Sequence, residues 1–293
     1  MNLEEYFISR LENRWIGDDG AYIPGKGGEW IVVKDLFVEG VHFKREWFQS
    51  LAQVARKGVL VNLSDIFAGG GVPVYGLIGI GFPKDLGRRG TEELATGFKK
   101  VAEEFQFQIV GGDTIEHPTI LISVTLIGKV QKRLERIGRK GDYIGITGGI
   151  GRNWWELQKA LRGGRVSPRS RLISPKLPVE FLRRGIRLLR GGIDISDGLF
   201  RELEEISLRS RVGAKIYRKG KGSLLRATGR RFQRNRNFRR VGCSGEEYQL
   251  LFTCPPRHWL GLERRGRVAR VPLFKIGRIV RGKVKYRCTP HHF

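Results

Sequence analysis

The sequence predicts an α/β or α+β protein, and three observations carry that expectation. Apolar runs of strand length recur, among them Val74 to Phe82 and Thr119 to Ile127. Between them lie segments with helical spacing, such as Leu94, Phe98, Val101, Ala102 and Phe105. The 41 glycines and a hydrophobic content of 40% argue for a globular chain rich in turns. At 293 residues, one large or two medium domains with ample core fit the length.

Taken in order, Leu3, Phe7, Ile8 and Leu11 have the spacing of a helix, which leads to the paired acids of Gly17-Asp18-Asp19-Gly20. Ile31-Val32-Val33 reads as a short strand with Lys34-Asp35 directly after it. Val38 to Phe43 reads as a loop that places His42 seven residues beyond Asp35. Leu51 to Leu63 is helix-forming, and Asp65 stands near the helix end, before the glycine-rich exit Gly69-Gly70-Gly71. Val74 to Phe82 is a buried strand and Glu92 to Phe105 an amphipathic helix. Ile109 and Val110 look like the end of a buried strand. Gly111 and Gly112 then let the backbone turn tightly, which puts Asp113 where phosphate oxygens and Mg2+ can reach it. Thr119 to Ile127 is the next strand, and the first unit closes near residue 130.

The charged stretch 131–141 predicts a boundary, dividing the chain into units 1–135 and 136–293. Tyr143 to Thr147 is a strand that runs through Gly148-Gly149-Ile150-Gly151 into a helix from Trp154 to Leu161. Backbone N–H groups at such a helix start suit a phosphate, although the stretch matches neither common nucleotide fingerprint. Trp154 and Trp155 are expected to pack rather than bind. Pro178 to Leu189 is helical. Next comes a short strand, Ile193-Asp194-Ile195-Ser196-Asp197, in which alternation puts Asp194 and Ser196 on one face with Asp197 at the end. Phe200 to Arg209 is a helix, and Gly242 to Phe252 is an acidic turn around Glu246 that enters a strand.

Charge divides unevenly. Residues 1–130 carry 14 Lys and Arg against 17 Asp and Glu; residues 131–293 carry 41 against 12. The basic residues are spread over many segments with no nucleic-acid motif. The densest run, Arg226 to Arg240, has only Phe232 and Phe238 for base stacking, so nucleic acid is not the expected partner. Apolar runs reach about nine residues where a membrane helix needs roughly 20, and the acidic start lacks an apolar signal core. A cytoplasmic protein without a membrane partner is expected. Cys243, Cys254 and Cys288 form no C-x-x-C pair, and three reduced thiols are expected.

Asp18, Asp19, Asp35, Asp65, Asp113, Asp194, Asp197 and Glu246 mostly follow short strands or flank glycine. Carboxylates gathered in one place repel unless a cation neutralises them. Oxygen ligands without His or Cys clusters select Mg2+. Mg2+ on glycine-rich turns without a Walker loop points to a nucleotide enzyme outside the P-loop class.

Six segments, in order and in spacing, resemble thiamine-monophosphate kinase. They are Gly17-Asp18-Asp19; Asp35 with Val38 to Phe43; Val61-Asn62-Leu63-Ser64-Asp65; Gly111-Gly112-Asp113-Thr114; Ile193 to Gly198; and Ser244-Gly245-Glu246-Glu247-Tyr248. The resemblance implies a two-domain aminoimidazole ribonucleotide synthetase-like fold, with the N-terminal sheet pairing across a homodimer. It implies ATP-dependent phosphorylation of thiamine monophosphate to thiamine diphosphate by direct in-line transfer. Carried over by motif, Asp19, Asp35, Asp65, Asp113, Asp194 and Asp197 would hold Mg2+. Gly112, Asp113, Arg136 and Ser196 would contact ATP, with Asp113, Asp194 and Asp197 as the catalytic acids. His42, Glu246 and Phe293 would hold the thiamine phosphate.

The chain departs from the family pattern in places. Val33-Lys34 stands where a Ser-Thr pair is usual, Glu247 where Asp is usual and Gln249 where Glu is usual. Arg136 aligns only with a one-residue gap, and residues 211–240 match least. Lys34 is expected to neutralise phosphate in place of a ligating hydroxyl. The alternatives are a superfamily relative acting on another small anion with ATP, and a non-catalytic nucleic-acid-binding protein.

Overall fold

A computed structural model describes residues 3–11, 13, 15, 20–217, 227–228, 238–284 and 288. The architecture is α/β as expected, with two five-stranded sheets among the described residues. The first half runs α1 (Leu3–Leu11), β1 (Ala21–Gly25), β2 (Gly28–Val38), α2 (Leu51–Ala68), β3 (Gly71–Phe82), α3 (Gly87–Phe105), β4 (Gln108–Glu116) and β5 (Leu121–Val130). The β1–β2 hairpin lengthens the short strand expected at Ile31 to Val33.

The first sheet has the order β1-β2-β5-β3-β4, antiparallel except for the parallel β3–β4 pair that flanks α3. Alternation on β5 buries Ile122, Val124 and Leu126 completely against α2 and its neighbours. Each such side chain contributes roughly 1.5–3 kcal/mol of burial. Residues opposite each other across a pair share a face. Asp35 pairs with Val124 and Phe37 with Ile122, so Asp35 shares the helix-covered side. The other face is open, with Ile23, Leu36, Tyr75, Leu77 and Ile115 exposed on it.

The second half contains β6 (Tyr143–Thr147), α4 (Arg152–Leu161), α5 (Val179–Gly185), β7 (Gly191–Asp194), α6 (Leu199–Ser210), β8 (Gly213–Ile216), β9 (Leu250–Cys254) and β10 (Leu273–Val280). Short helices at Phe238–Gly242 and Trp259–Val268 complete it. Its sheet has the order β7-β9-β6-β10-β8. One core packs Ile144, Ile193, Leu199, Leu203 and Leu251 around α6. A larger core runs unbroken from the first sheet through Leu134 to Phe181, Phe252, Trp259 and Leu262. The two halves therefore share apolar burial.

The exit from α2 fastens this junction. Gly70 adopts φ +82°, and a Cβ there would lie 1.9 Å from the Lys132 carbonyl oxygen. The Tyr22 hydroxyl donates to the carbonyls of Gly69 and Leu134, each at 2.9 Å.

Two expectations are corrected. The stretch from Gln108 to Glu116 is one continuous edge strand with every residue exposed, not a buried strand ending in a turn. Gly112 serves close approach, since a Cβ there would meet the Ile78 carbonyl oxygen at 1.8 Å. Cys243 and Cys288 form a disulfide, with Cα atoms 5.4 Å apart, and only Cys254 is free among the described cysteines. Their 45-residue separation hid that pairing in the sequence.

Candidate functional site

The site is built on α2. Its residues Lys57, Asn62, Ser64 and Asp65 sit on a helix packed between the first sheet and β7. Asn62 accepts the backbone N–H of Asp35 through Oδ1 at 3.0 Å and anchors itself by donating to the Gly58 carbonyl. The Asp35 carboxyl is hydrogen-bonded to Asp65. Burial pushes the Asp35 carboxyl above its ordinary range, while the bond to Asp65 and the charges of His42 and Lys34 pull it down. Its Oδ2 is buried without a hydrogen-bond partner. An orphaned, desolvated carboxylate oxygen beside a second carboxyl group is suited to a hard cation.

Two links tie α2 to the second half. Ser64 Oγ donates to Asp194 Oδ2 at 2.6 Å. Lys57 Nζ pairs with Glu246 Oε2 at 2.5 Å, and the Lys57 side chain is only 1% exposed. Tyr248 donates its hydroxyl to the other Glu246 oxygen at 2.9 Å. Burial and then the charges of Glu246, Asp194 and Asp35 hold the Tyr248 phenol well above its ordinary range. This tyrosine therefore senses carboxylates arriving from β2, β7 and the Glu246 turn.

Ser196 Oγ lies 3.5 Å from Asp194 Oδ1, but β7 ends at Asp194, so Ser196 and Asp197 stand in the bend beyond it and not on the strand expected for them. Asp197 is half-buried and pairs with Arg201 at 3.4 Å. His42 accepts the Val38 N–H through Nδ1 at 3.1 Å, which places the proton of a neutral ring on Nε2. Arg136 is half-buried in the segment joining the sheets. Buried Glu247 accepts the Gly151 N–H and so ties the start of α4 to the Glu246 turn. Its carboxyl is pushed up to about 8, chiefly by burial. Asn153 of α4 donates to the Glu246 carbonyl.

Asp113 does not join this group within one chain. It pairs with Gly79, and Gly79 pairs with Ser123, the row that faces away from the helices. Three strand spacings, about 14 Å, and the sheet itself separate it from Asp35. Gly112 lies beside it on β4, and Lys34 is exposed on the same open side. A cavity of about 630 Å³ opens between α3 and β4, lined by Phe82, Lys84, Arg88, Thr91 and Thr114, and Asp113 is not among its lining residues. Asp18, Asp19 and Phe293 lie outside the described residues, as does most of the arginine-rich run. Among the described residues, no three carboxylate, imidazole or thiol groups form a ready-made metal cage. Trp154 packs against the second core, whereas Trp155 is 47% exposed, contrary to the packing expected of it.

Sequence reasoning passed over Lys57 and gave Tyr248 no role. A lysine two turns before Ser64 on the same side of the helix, within a mostly apolar run, is the signal that marks Lys57.

Residues 17–130 match the family of AIR synthase related proteins, N-terminal domain. The chain is 33% identical over 244 residues to a thiamine-monophosphate kinase of Nitrosopumilus maritimus, covering 80% of this chain and 76% of that protein. It is 30% identical over 270 residues to the thiamine-monophosphate kinase of Aquifex aeolicus, covering 88% and 87%. The fold is similar to a solved structure described as AaThiL complexed with AMPPCP and TMP, with a TM-score of 0.83 and 26% identity over 100% of this chain and 98% of the other. A hydrogenase maturation protein HypE in complex with ATP shares the fold at a TM-score of 0.69 and 18% identity, covering 96% and 87%.

Proposed function

The chain belongs to the thiamine-monophosphate kinase family, and from that membership we infer the reaction its residues carry out. It phosphorylates thiamine monophosphate to thiamine diphosphate at the expense of ATP. The observation that carries this reading is the convergence of Asp35, Asp65, Asp194 and Glu246 on one helix, from segments far apart in sequence.

The acceptor's phosphate oxygen is already ionised at neutral pH, so no general base is needed and transfer is direct. The barrier lies in bringing two polyanions together in line. Asp35 and Asp65 would hold Mg2+, with Asp194 and Asp197 beside them, and the ion would offset phosphate charge. Ser196 and Arg136 would face the nucleotide. Glu246, His42 and Phe293 would hold the acceptor, with the Glu246 carboxylate facing its cationic ring.

Asp113 and Gly112 fit the same reading through a second copy of the chain. The open face of the first sheet carries Tyr75, Leu77 and Ile115, and Trp30 stacks on Tyr75 with centroids 6.4 Å apart. Burying that face against its own copy would make a homodimer, with Asp113 at the rim. The proposed division into 1–135 and 136–293 is supported by the gap between β5, which ends at Val130, and β6, which begins at Tyr143. No helix among the described residues is long and apolar enough to cross a membrane. The proposed location is the cytoplasm, and a reaction that consumes ATP supports that reading.

A coupled assay for thiamine diphosphate tests the function. Product that requires both ATP and Mg2+, and that is lost in Asp113→Asn and Asp65→Asn, is expected. ATP consumption with a different small anionic acceptor, and none with thiamine monophosphate, would overturn it. Trapping a phosphorylated protein from labelled ATP without acceptor would refute direct transfer.

A further inference from the structure

We propose that Lys57 is a positioning residue for the phosphoryl acceptor, acting through Glu246. The proposal rests on the reading that Glu246 contacts thiamine monophosphate.

Lysine usually keeps its ammonium in water while its stem lies on the surface. Lys57 does the opposite, with its side chain 1% exposed and its Nζ 5.5 Å from the centre of the Phe37 ring. A buried ammonium must be paired, and its partner is a carboxylate that keeps 27% of its side chain exposed. The pair is therefore asymmetric, with the cation buried and the anion partly open to solvent.

Glu246 is held on every side. Lys57 takes one carboxylate oxygen and the Tyr248 hydroxyl takes the other. Its backbone is left-handed at φ +66°, and its N–H donates to the Ser196 carbonyl at 2.7 Å. A non-glycine residue in that region persists only where its surroundings over-determine it, which is common at ligand-holding sites. The ion pair and the Tyr248 hydroxyl fix the carboxylate in direction. That is what a permanently cationic ring on the acceptor requires of its counter-charge.

The placement of Lys57 on α2 adds a second consequence. Ser64, seven residues along and so about 10 Å up the same helix face, holds Asp194 on the nucleotide side. One rigid helix thus sets the spacing between the carboxylate that faces the acceptor ring and the carboxylate that faces phosphate. In-line transfer depends on that spacing.

The test is steady-state kinetics on the full chain, varying ATP and thiamine monophosphate separately. Lys57→Met, Glu246→Gln and the double variant are run together. Lys57→Met is expected to raise KM for thiamine monophosphate at least tenfold and to leave KM for ATP within twofold. The double variant should match Glu246→Gln alone. Lys57→Arg, which keeps the charge but displaces the donor, is measured in case the methionine variant does not fold. It should raise the acceptor KM with little change in Tm. A general structural role would lower Tm and raise both KM values alike, and that result overturns the proposal. So does an unchanged acceptor KM in a folded variant, or an additive loss in the double variant. Wild-type protein that makes no thiamine diphosphate overturns the functional reading, and the proposal with it.

Discussion

Glu247→Gln should flatten the pH dependence of stability. Glu247 is 2% exposed, and its carboxyl is raised from 4.5 to about 8, chiefly by burial. Below pH 4.5 the folded and unfolded chains both hold the proton. Between 4.5 and 8 the unfolded chain releases it and the folded chain keeps it, so stability falls as pH rises through that window. Above 8 the loss is complete. At about 1.4 kcal/mol per pH unit, the span amounts to about 5 kcal/mol. A glutamine keeps a carbonyl oxygen to accept the Gly151 N–H and carries no titratable proton. The variant should therefore match wild type at pH 4.5 and exceed it by several kcal/mol at pH 8. For a chain of this size that is a Tm difference on the order of 10 °C. Thermal unfolding at pH 4.5, 6, 7 and 8, followed by circular dichroism, reads the effect. Parallel curves for the two proteins would refute the reasoning, because they would mean that Glu247 is ionised in the fold or titrates no differently from the unfolded chain.

Three other outcomes are expected. The Cys243–Cys288 disulfide closes a loop of 45 residues, so reduction or Cys243→Ser should cost up to about 4 kcal/mol in urea unfolding, and reductant should leave the serine variant unaffected. Gly70→Ala forces a side chain onto φ +82° and against the Lys132 carbonyl, so a loss of roughly 3 kcal/mol is expected, read as a lower urea midpoint. Leu77→Arg places a charge in the open sheet face, and sedimentation should show a monomer where wild type is a dimer; a dimer that survives the change would put the interface elsewhere.

Much of the fold was legible because helices and strands leave short-range patterns. The α3 stripe of Leu94, Phe98, Val101 and Ala102 is buried as its spacing requires. The alternation on β5 gives one buried face. The hairpin β1–β2 was less legible, because Pro24, Gly25 and Gly28 dilute the apolar signal. β4 misled for a physical reason. Paired glycines look the same in sequence whether they permit a turn or let one strand lie close against another, and here Gly112 does the second. The acids were legible as motifs, but their grouping was not. Asp35 and Asp113 sit in similar sequence surroundings, and sheet alternation sends them to opposite faces.

The sequence by itself therefore determined the element types, the α/β class and the acidic segments that mark the family. The tertiary structure alone decided which acids meet, that Lys57 lies buried under Glu246, and that Cys243 finds Cys288. Periodicity records only whether a residue faces a core. Which groups share that core depends on strand order and helix packing between segments as far apart as residues 57 and 246, and no local pattern encodes such a distance.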